Sequence, residues 1–369
     1  MKAFLQPLKN LAEYEEICAA VRTNRGVLQI SGCMESQKAH LMYGLSGLFP
    51  CRFIIAEDER RAKEICEDYR FYDKKIVYYP AKDLLFFQAD IHGNLLIRQR
   101  MQAVKALLEQ EEVTVVTSVD GCMDFLMPLA HIREQLLSIQ NDSVIEIDAL
   151  KLRLVELGYE RVGQVELPGQ FSIRGGIVDI YCLTEENPWR IELWGDEVDS
   201  IRSFDAQSQR SLENLEEIRI YPAAEQAEGK GMVSFLEYFP EDKTLIFLDE
   251  PNRLTERGEA VEEEFRQSRE RREEKGTLNL PGQWLCAYGA LQKALNKRNC
   301  VSLCALEPRQ AGWKVSGKFH LEVKSVNSYN SSFELLVKDL HKLKKQGYSI
   351  ALLCGSRTRA QRLAKDLQN

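Results

Sequence analysis

Three groups of residues have types and spacing that could do chemistry. The first is Ser31-Gly32-Cys-Met-Glu-Ser-Gln37-Lys38-Ala39, which follows the apolar run Gly26–Ile30 and opens a helical pattern. Strand, glycine loop, lysine and helix is the layout that cradles phosphate, with the working pattern Gly, four residues, Gly-Lys-Ser/Thr. Gly32 and Lys38 keep their places. Gln37 stands where a second glycine would let backbone amides face the phosphates, and Ala39 has no oxygen to hold magnesium. This degenerate nucleotide loop is not expected to support hydrolysis.

The second group is Asp249-Glu250, closing the apolar run Thr244–Leu248. In a live ATPase the first acid would anchor magnesium and the second would position water. Two acids at a strand end are also what the dipole of a following helix favours. With the loop broken, the structural reading is preferred and the pair is taken as a Walker-B-like relic.

The third group is a pair of arginines. Pro168-Gly169 predicts a turn, proline presetting φ and glycine supplying φ > 0. The runs Tyr159–Val165 and Gln170–Arg174 then form an antiparallel hairpin, with Arg174 opposite Gly163 and Arg161 opposite Gly176. Alternation puts Arg161 and Arg174 on one face and Val162, Phe171 and Ile173 on the core side. Two arginines with no partnered carboxylate read as a recognition surface for acidic groups, or as a solvated strand face.

Around these groups, apolar strands alternate with amphipathic helices: strands at 26–30, 52–56, 76–79, 113–117, 244–249 and 300–304, helices at 8–24, 58–69 and 95–109. That alternation implies a parallel sheet in an α/β fold. Residues 256–275 are a dense charge run read as a solvated helix, with a phosphate contact through Arg266–Arg272 as the lesser reading. Phe86-Phe87 reads as core and Pro281-Gly282 as a loop. Ser332, Gly347 and the runs 348–354 and 357–367 outline a late helix, strand and helix. That pattern stops at Asn369 without a partner strand, so the chain is expected to be part of a longer protein.

The 369 residues carry a net charge of −7, so any contact with nucleic acid would need a local basic patch. No apolar run is long enough to span a membrane and no secretory signal is visible, which points to a cytoplasmic protein with no membrane partner. Ten cysteines show no Cys-x-x-Cys pair and the five histidines no ligand spacing to them. Buried reduced thiols, with no metal site, are expected.

The stretches Gln170-Phe-Ser-Ile-Arg-Gly-Gly-Ile-Val-Asp-Ile-Tyr181, Arg190-Ile-Glu-Leu-Trp-Gly-Asp-Glu-Val-Asp-Ser-Ile-Arg-Ser-Phe-Asp205 and Gln209–Leu212 resemble the UvrB homology module of the bacterial transcription-repair coupling factors, the Mfd family. More distantly they resemble UvrB itself. Residues 347–363 are similar to the segment that follows this module in the family. The resemblance implies a degenerate P-loop-NTPase-like parallel-sheet domain split by an inserted α+β domain, plus the start of a further α/β unit. The implied boundaries are 1–117 and 207–325 for the split domain, 118–206 for the insertion and 326–369 for the last unit. It also implies an adaptor role: the insertion binds UvrA through Arg161 and Arg174, flanked by Tyr159 and Tyr181, in transcription-coupled nucleotide excision repair. Ser172 replaces a further arginine of UvrB, so the UvrA-facing surface differs in detail.

Full-length members are ATP-dependent DNA translocases that displace RNA polymerase. The resemblance therefore assigns ATP, magnesium, polymerase and double-stranded DNA to domains outside this chain, and leaves these residues no cofactor and no catalysis of their own. Two alternatives are a UvrB-like damaged-DNA-binding ATPase and a structural module that regulates the motor in cis.

Overall fold

The structure, a computed structural model, describes every residue except 1, 24, 83–92, 225–230, 275–284, 308–311, 330–331 and 369. The chain forms two compact units, Met1–Val323 and Lys324–Asn369. Phe86-Phe87 and Pro281-Gly282 lie outside the described residues.

The first unit is built on a seven-stranded sheet with the order Val315–His320, Gly26–Ser31, Asn299–Leu303, Thr244–Asp249, Cys51–Ala56, Val113–Ser118, Ile76–Tyr79. Every neighbouring pair is parallel. The runs 51–56 and 113–118 are buried from end to end, as strands covered on both faces must be. Alternation sends Phe53, Ile55, Val115, Ile246 and Leu248 into one core, where they meet helices Gly93–Glu109 and Tyr288–Leu295. It sends Ile54, Ala56, Val116, Leu245 and Phe247 into the other, under helices Tyr14–Thr23, Glu35–Ser46 and Glu59–Arg70. Asp58 caps the last of these, its carboxylate accepting from Arg61 N at 2.7 Å.

The charged run forms the long helix Pro251–Glu274. Arg266 pairs with Glu263 and Glu270, and Arg269 with Glu273, all exposed, so these arginines are satisfied within their own helix.

A second sheet has six strands in the order Ser211–Leu215, Glu197–Phe204, Trp189–Trp194, Ile177–Ile180, Gln170–Arg174, Glu160–Arg161. One face, with Phe171, Val178, Ile180, Ile191, Val198 and Ile201, joins the core beneath helix Ile147–Glu156. The sheet extends to Leu215, and Glu217–Ile220 pairs back onto Leu137–Gln140, so the second sheet outlasts the expected boundary at 206.

The expected hairpin about Pro168-Gly169 is corrected. Glu160 and Arg161 pair parallel to Gln170 and Phe171. Gly169 does take φ +87°, but the chain loops back through 162–169 before the strand begins. Buried Val165 anchors that loop, and the Gln170 side-chain oxygen closes it by accepting from Glu166 N at 3.1 Å and Leu167 N at 3.0 Å. The tight turn is instead Gly175-Gly176, which joins Gln170–Arg174 to Ile177–Ile180 with Arg174 opposite Ile177. Gly175 has φ +60°, and a side chain on Gly176 would meet the Leu193 carbonyl at 2.8 Å.

In the second unit Ser332 caps helix Phe333–Lys345 and Gly347 follows at φ +83°, as its sequence predicts. The run 348–354, expected as a strand, has no partner strand among the described residues and forms none. Helix Arg357–Asp366 follows, capped by Ser356.

Candidate functional site

The glycine loop and the acidic pair do meet, and they close on each other. Helix Glu35–Ser46 begins three residues before Lys38, so residues that would wrap a phosphate form its first turn. The amides of Gln37 and Lys38 both donate to Met34 O, at 2.9 and 3.1 Å, and Cys33 N donates to Cys304 O at 3.0 Å. Gly32, at φ +79°, is pressed against the Leu321 carbonyl, which an added Cβ would approach to 2.0 Å.

Lys38 is 1 % exposed, and its ammonium lies 2.7 Å from Asp249 Oδ1 and 2.7 Å from Glu250 Oε1. Arg61 reaches in from the neighbouring helix, Nε 2.8 Å from Asp249 Oδ2, and also pairs with Glu35. Burial opposes the charge on Lys38, but the two acids outweigh it and hold the ammonium above its ordinary range. Glu250 takes φ +52° and its Oε1 also accepts from Ala305 N at 2.7 Å. Two cations thus face Asp249, Glu250 and Glu35, leaving no surplus positive charge to receive a phosphate. Helix Pro251–Glu274 starts directly after the acids, so they also sit at a positive dipole end.

The arginines of the second sheet are placed differently from the expectation. Arg174 is 47 % exposed and its Nη2 lies 2.7 Å from Asp179 Oδ2, so it does have a carboxylate partner. Asp179 is 1 % exposed and also receives Arg190, Nε at 2.7 Å from Oδ1 and Nη2 at 2.8 Å from Oδ2. Arg190 in turn donates to Gln209 at 3.0 Å and stacks 4.4 Å above the Phe204 ring. That bond to Asp179 holds the Arg190 guanidinium firmly charged. Sequence reasoning missed both residues, which stand directly opposite each other where Ile177–Ile180 pairs with Trp189–Trp194.

Arg161 is exposed and has no ion pair among the described residues. Its register with Phe171 puts it on the opposite side of the sheet from Arg174 by alternation, so the two do not form one face. Tyr159 and Tyr181 do not flank a docking surface. Tyr159 is 3 % exposed and donates to Tyr221 O at 2.7 Å, while Tyr181 is 9 % exposed and donates to Glu186 O at 2.6 Å. Each fills the core with its ring and satisfies its hydroxyl on the backbone, which is the ordinary role of a buried tyrosine. No group of side chains among the described residues could hold a metal, and no described helix is long and apolar enough to cross a membrane.

Comparison with known proteins bears on the second sheet directly. A family model described as UvrB interaction domain matches residues 137–225. The transcription-repair-coupling factor of Bacillus subtilis is 39% identical over 211 residues, 53% of this chain and 18% of that protein. That of Staphylococcus epidermidis is 33% identical over 153 residues, 42% of this chain and 13% of the relative. That of Staphylococcus aureus is 32% identical over 168 residues, 45% of this chain and 14% of the relative. The match therefore spans less than a fifth of each of these relatives. The UvrB interaction domain match thus takes in most of the second sheet, and over about half of its length the chain is similar to transcription-repair-coupling factors.

Proposed function

We propose that this chain is an adaptor that recruits UvrA in transcription-coupled nucleotide excision repair, and that it carries no catalysis of its own. The observation that carries the reading is Arg174. Its guanidinium is half exposed at a glycine turn of the matched domain, while buried Asp179 holds it from behind. A cation fixed in this way presents its remaining N–H groups to a partner carboxylate at little entropic cost. Arg161, exposed on the edge strand, supplies a second cation that meets the partner from a different angle.

The inward-turned glycine loop supports the non-enzymatic half of the reading. Its amides are bonded internally and its lysine is held by two acids. ATP, magnesium, RNA polymerase and double-stranded DNA belong, on this reading, to the translocase parts of a longer protein. The same loop argues against a UvrB-like damage-binding ATPase.

The test is calorimetry of this chain with UvrA, for the wild type, Arg174→Ala and Arg161→Ala. The expected result is binding by the wild type and weaker binding by both variants. Wild-type affinity retained by Arg174→Ala and Arg161→Ala alike would point to a different docking surface.

A further inference from the structure

Trp194 is 84% exposed, an unusual position for the largest apolar side chain in a folded domain. Its place follows from alternation. Arg190, Glu192 and Trp194 share one face of their strand, and Glu192 registers with Ile177, which registers with Arg174. Trp194 therefore stands on the same face and at the same end of the sheet as Arg174. It lies two strands over and two residues further along, which is about 12 Å at the usual strand spacing and rise.

On its other side Trp194 pairs with Glu197, and Glu197 forms a bridge with Val144, which is 78% exposed. Residues in register across a sheet project to the same side, so Val144 and Trp194 stand on either side of the exposed Glu197 in one ridge. The ridge is braced. Ile145 N donates to Asp196 O at 2.7 Å, Asp142 N to Val198 O at 3.0 Å, and Leu193 N to Gly176 O at 2.8 Å. These bonds tie the hairpin tip both to the 142–145 segment and to the turn that carries Arg174. Gly175, Gly176 and Gly195 bring no side chains that could cover the ring.

We propose that Trp194, with Val144 across Glu197 from it, is the apolar anchor of the surface that carries Arg174, and that one protein partner takes both. The inference rests on the UvrA-docking reading and adds the chemistry of the partner's face: a carboxylate for Arg174 and an apolar recess next to it for the indole. Continuity with Arg174 inside the matched domain selects that occupant. A rigid aromatic beside a fixed arginine is the composition of a binding hot spot, because both bury large area while losing little conformational freedom.

The test is the affinity of this chain for UvrA by calorimetry, with thermal unfolding of each variant. Trp194→Ala is expected to weaken binding roughly 30-fold at unchanged Tm, the effect of losing a central aromatic anchor. Trp194→Phe is expected to keep most of the affinity, and Val144→Asp to lose about tenfold by placing a charge at the recess. If Trp194→Ala binds as tightly as the wild type while Arg174→Ala does not, the anchor is overturned and the docking reading stands. If the wild-type chain does not bind UvrA, both are overturned.

Discussion

Arg174 and Arg190 share one carboxylate: Arg174 Nη2 lies 2.7 Å from Asp179 Oδ2, and Arg190 Nε lies 2.7 Å from Oδ1 of the same residue. The two arginines differ in what else surrounds them. Arg190 is 14% exposed and packed over Phe204, whereas Arg174 is 47% exposed. Their substitutions should therefore separate stability from binding. Arg174→Ala is expected to cost no more than about 1 kcal/mol of stability, as half-exposed pairs do, and about 2 kcal/mol of UvrA affinity. Arg190→Ala should show the reverse weighting, with a stability loss of roughly 2 kcal/mol as Asp179 loses two of its bonds. Urea unfolding and calorimetry on the same preparations read both quantities, and equal stability losses would contradict this division of labour.

Asp179 itself is expected to be the least tolerant position of the group. Asp179→Ala leaves two guanidinium groups facing each other with no anion between them, and should lower stability by roughly 3 kcal/mol. It should also weaken UvrA binding, because Arg174 is then free to swing. Asp179→Asn keeps the shape and one acceptor but not the charge, so a variant as unstable as the alanine would mean that charge, not shape, holds the site.

Stability should fall with pH through Glu59. Burial pushes the Glu59 carboxyl above its ordinary value, against hydrogen bonds from Ala81 N at 3.0 Å and Ser118 Oγ at 2.7 Å. A group whose folded value is raised favours the fold in its protonated form. Its contribution is fully present below the ordinary glutamate value and is lost as pH rises through the raised one. Glu59→Gln should flatten that slope, which urea midpoints measured from acid to neutral pH will show. An unchanged slope in the variant would assign the pH dependence to other carboxylates.

Much of the fold was legible because its signals are local. Apolar runs such as 51–56 can only be doubly covered strands, and Asp58, Ser332 and Gly347 mark helix ends by their own side-chain and backbone chemistry. The arginine site was less legible, because strand pairing is not local. Pro168-Gly169 and Gly175-Gly176 are both plausible turns, and only the buried anchor Val165 and the Gln170 bonds decide which one joins paired strands. Choosing the first turn shifted the pairing, and with it the face assigned to Arg161 and the partner denied to Arg174. The missing second glycine and hydroxyl of the glycine stretch were readable from Gln37 and Ala39, whereas the reach of Arg61 to Asp249 was not, because nothing in its helix marks it as more than a surface charge.

The cysteines give a count that can be checked in one experiment. All ten are free, nine are buried and Cys354 alone is partly exposed. Burial pushes the Cys33 and Cys304 thiols up to about 12, where they are neither nucleophilic nor easily oxidised. A thiol reagent added to the native chain should react quickly at Cys354 and with the rest only on unfolding. Fast modification of several thiols would show that the core opens far more often than its packing implies.

The ion pairs between Lys38 and the two acids Asp249 and Glu250 should behave as structure. Lys38→Ala leaves Asp249 and Glu250, tied to the ammonium at 2.7 Å each, without their main cation. The expected loss is roughly 3 kcal/mol, because an uncompensated buried charge costs more than the pair contributes. Lys38→Met combined with Asp249→Leu removes the most buried pair but leaves Glu250 without its cation and Arg61 without Asp249, so only part of that loss should be recovered, which a double-mutant cycle by urea unfolding would measure. A fluorescent ATP analogue should show no saturable binding to the wild type, since a triphosphate would have to break these bonds and free the amides of Gln37 and Lys38 from Met34. Saturation in the micromolar range, or a Lys38→Ala variant as stable as the wild type, would mean that the loop opens and that its lysine is still available to a ligand.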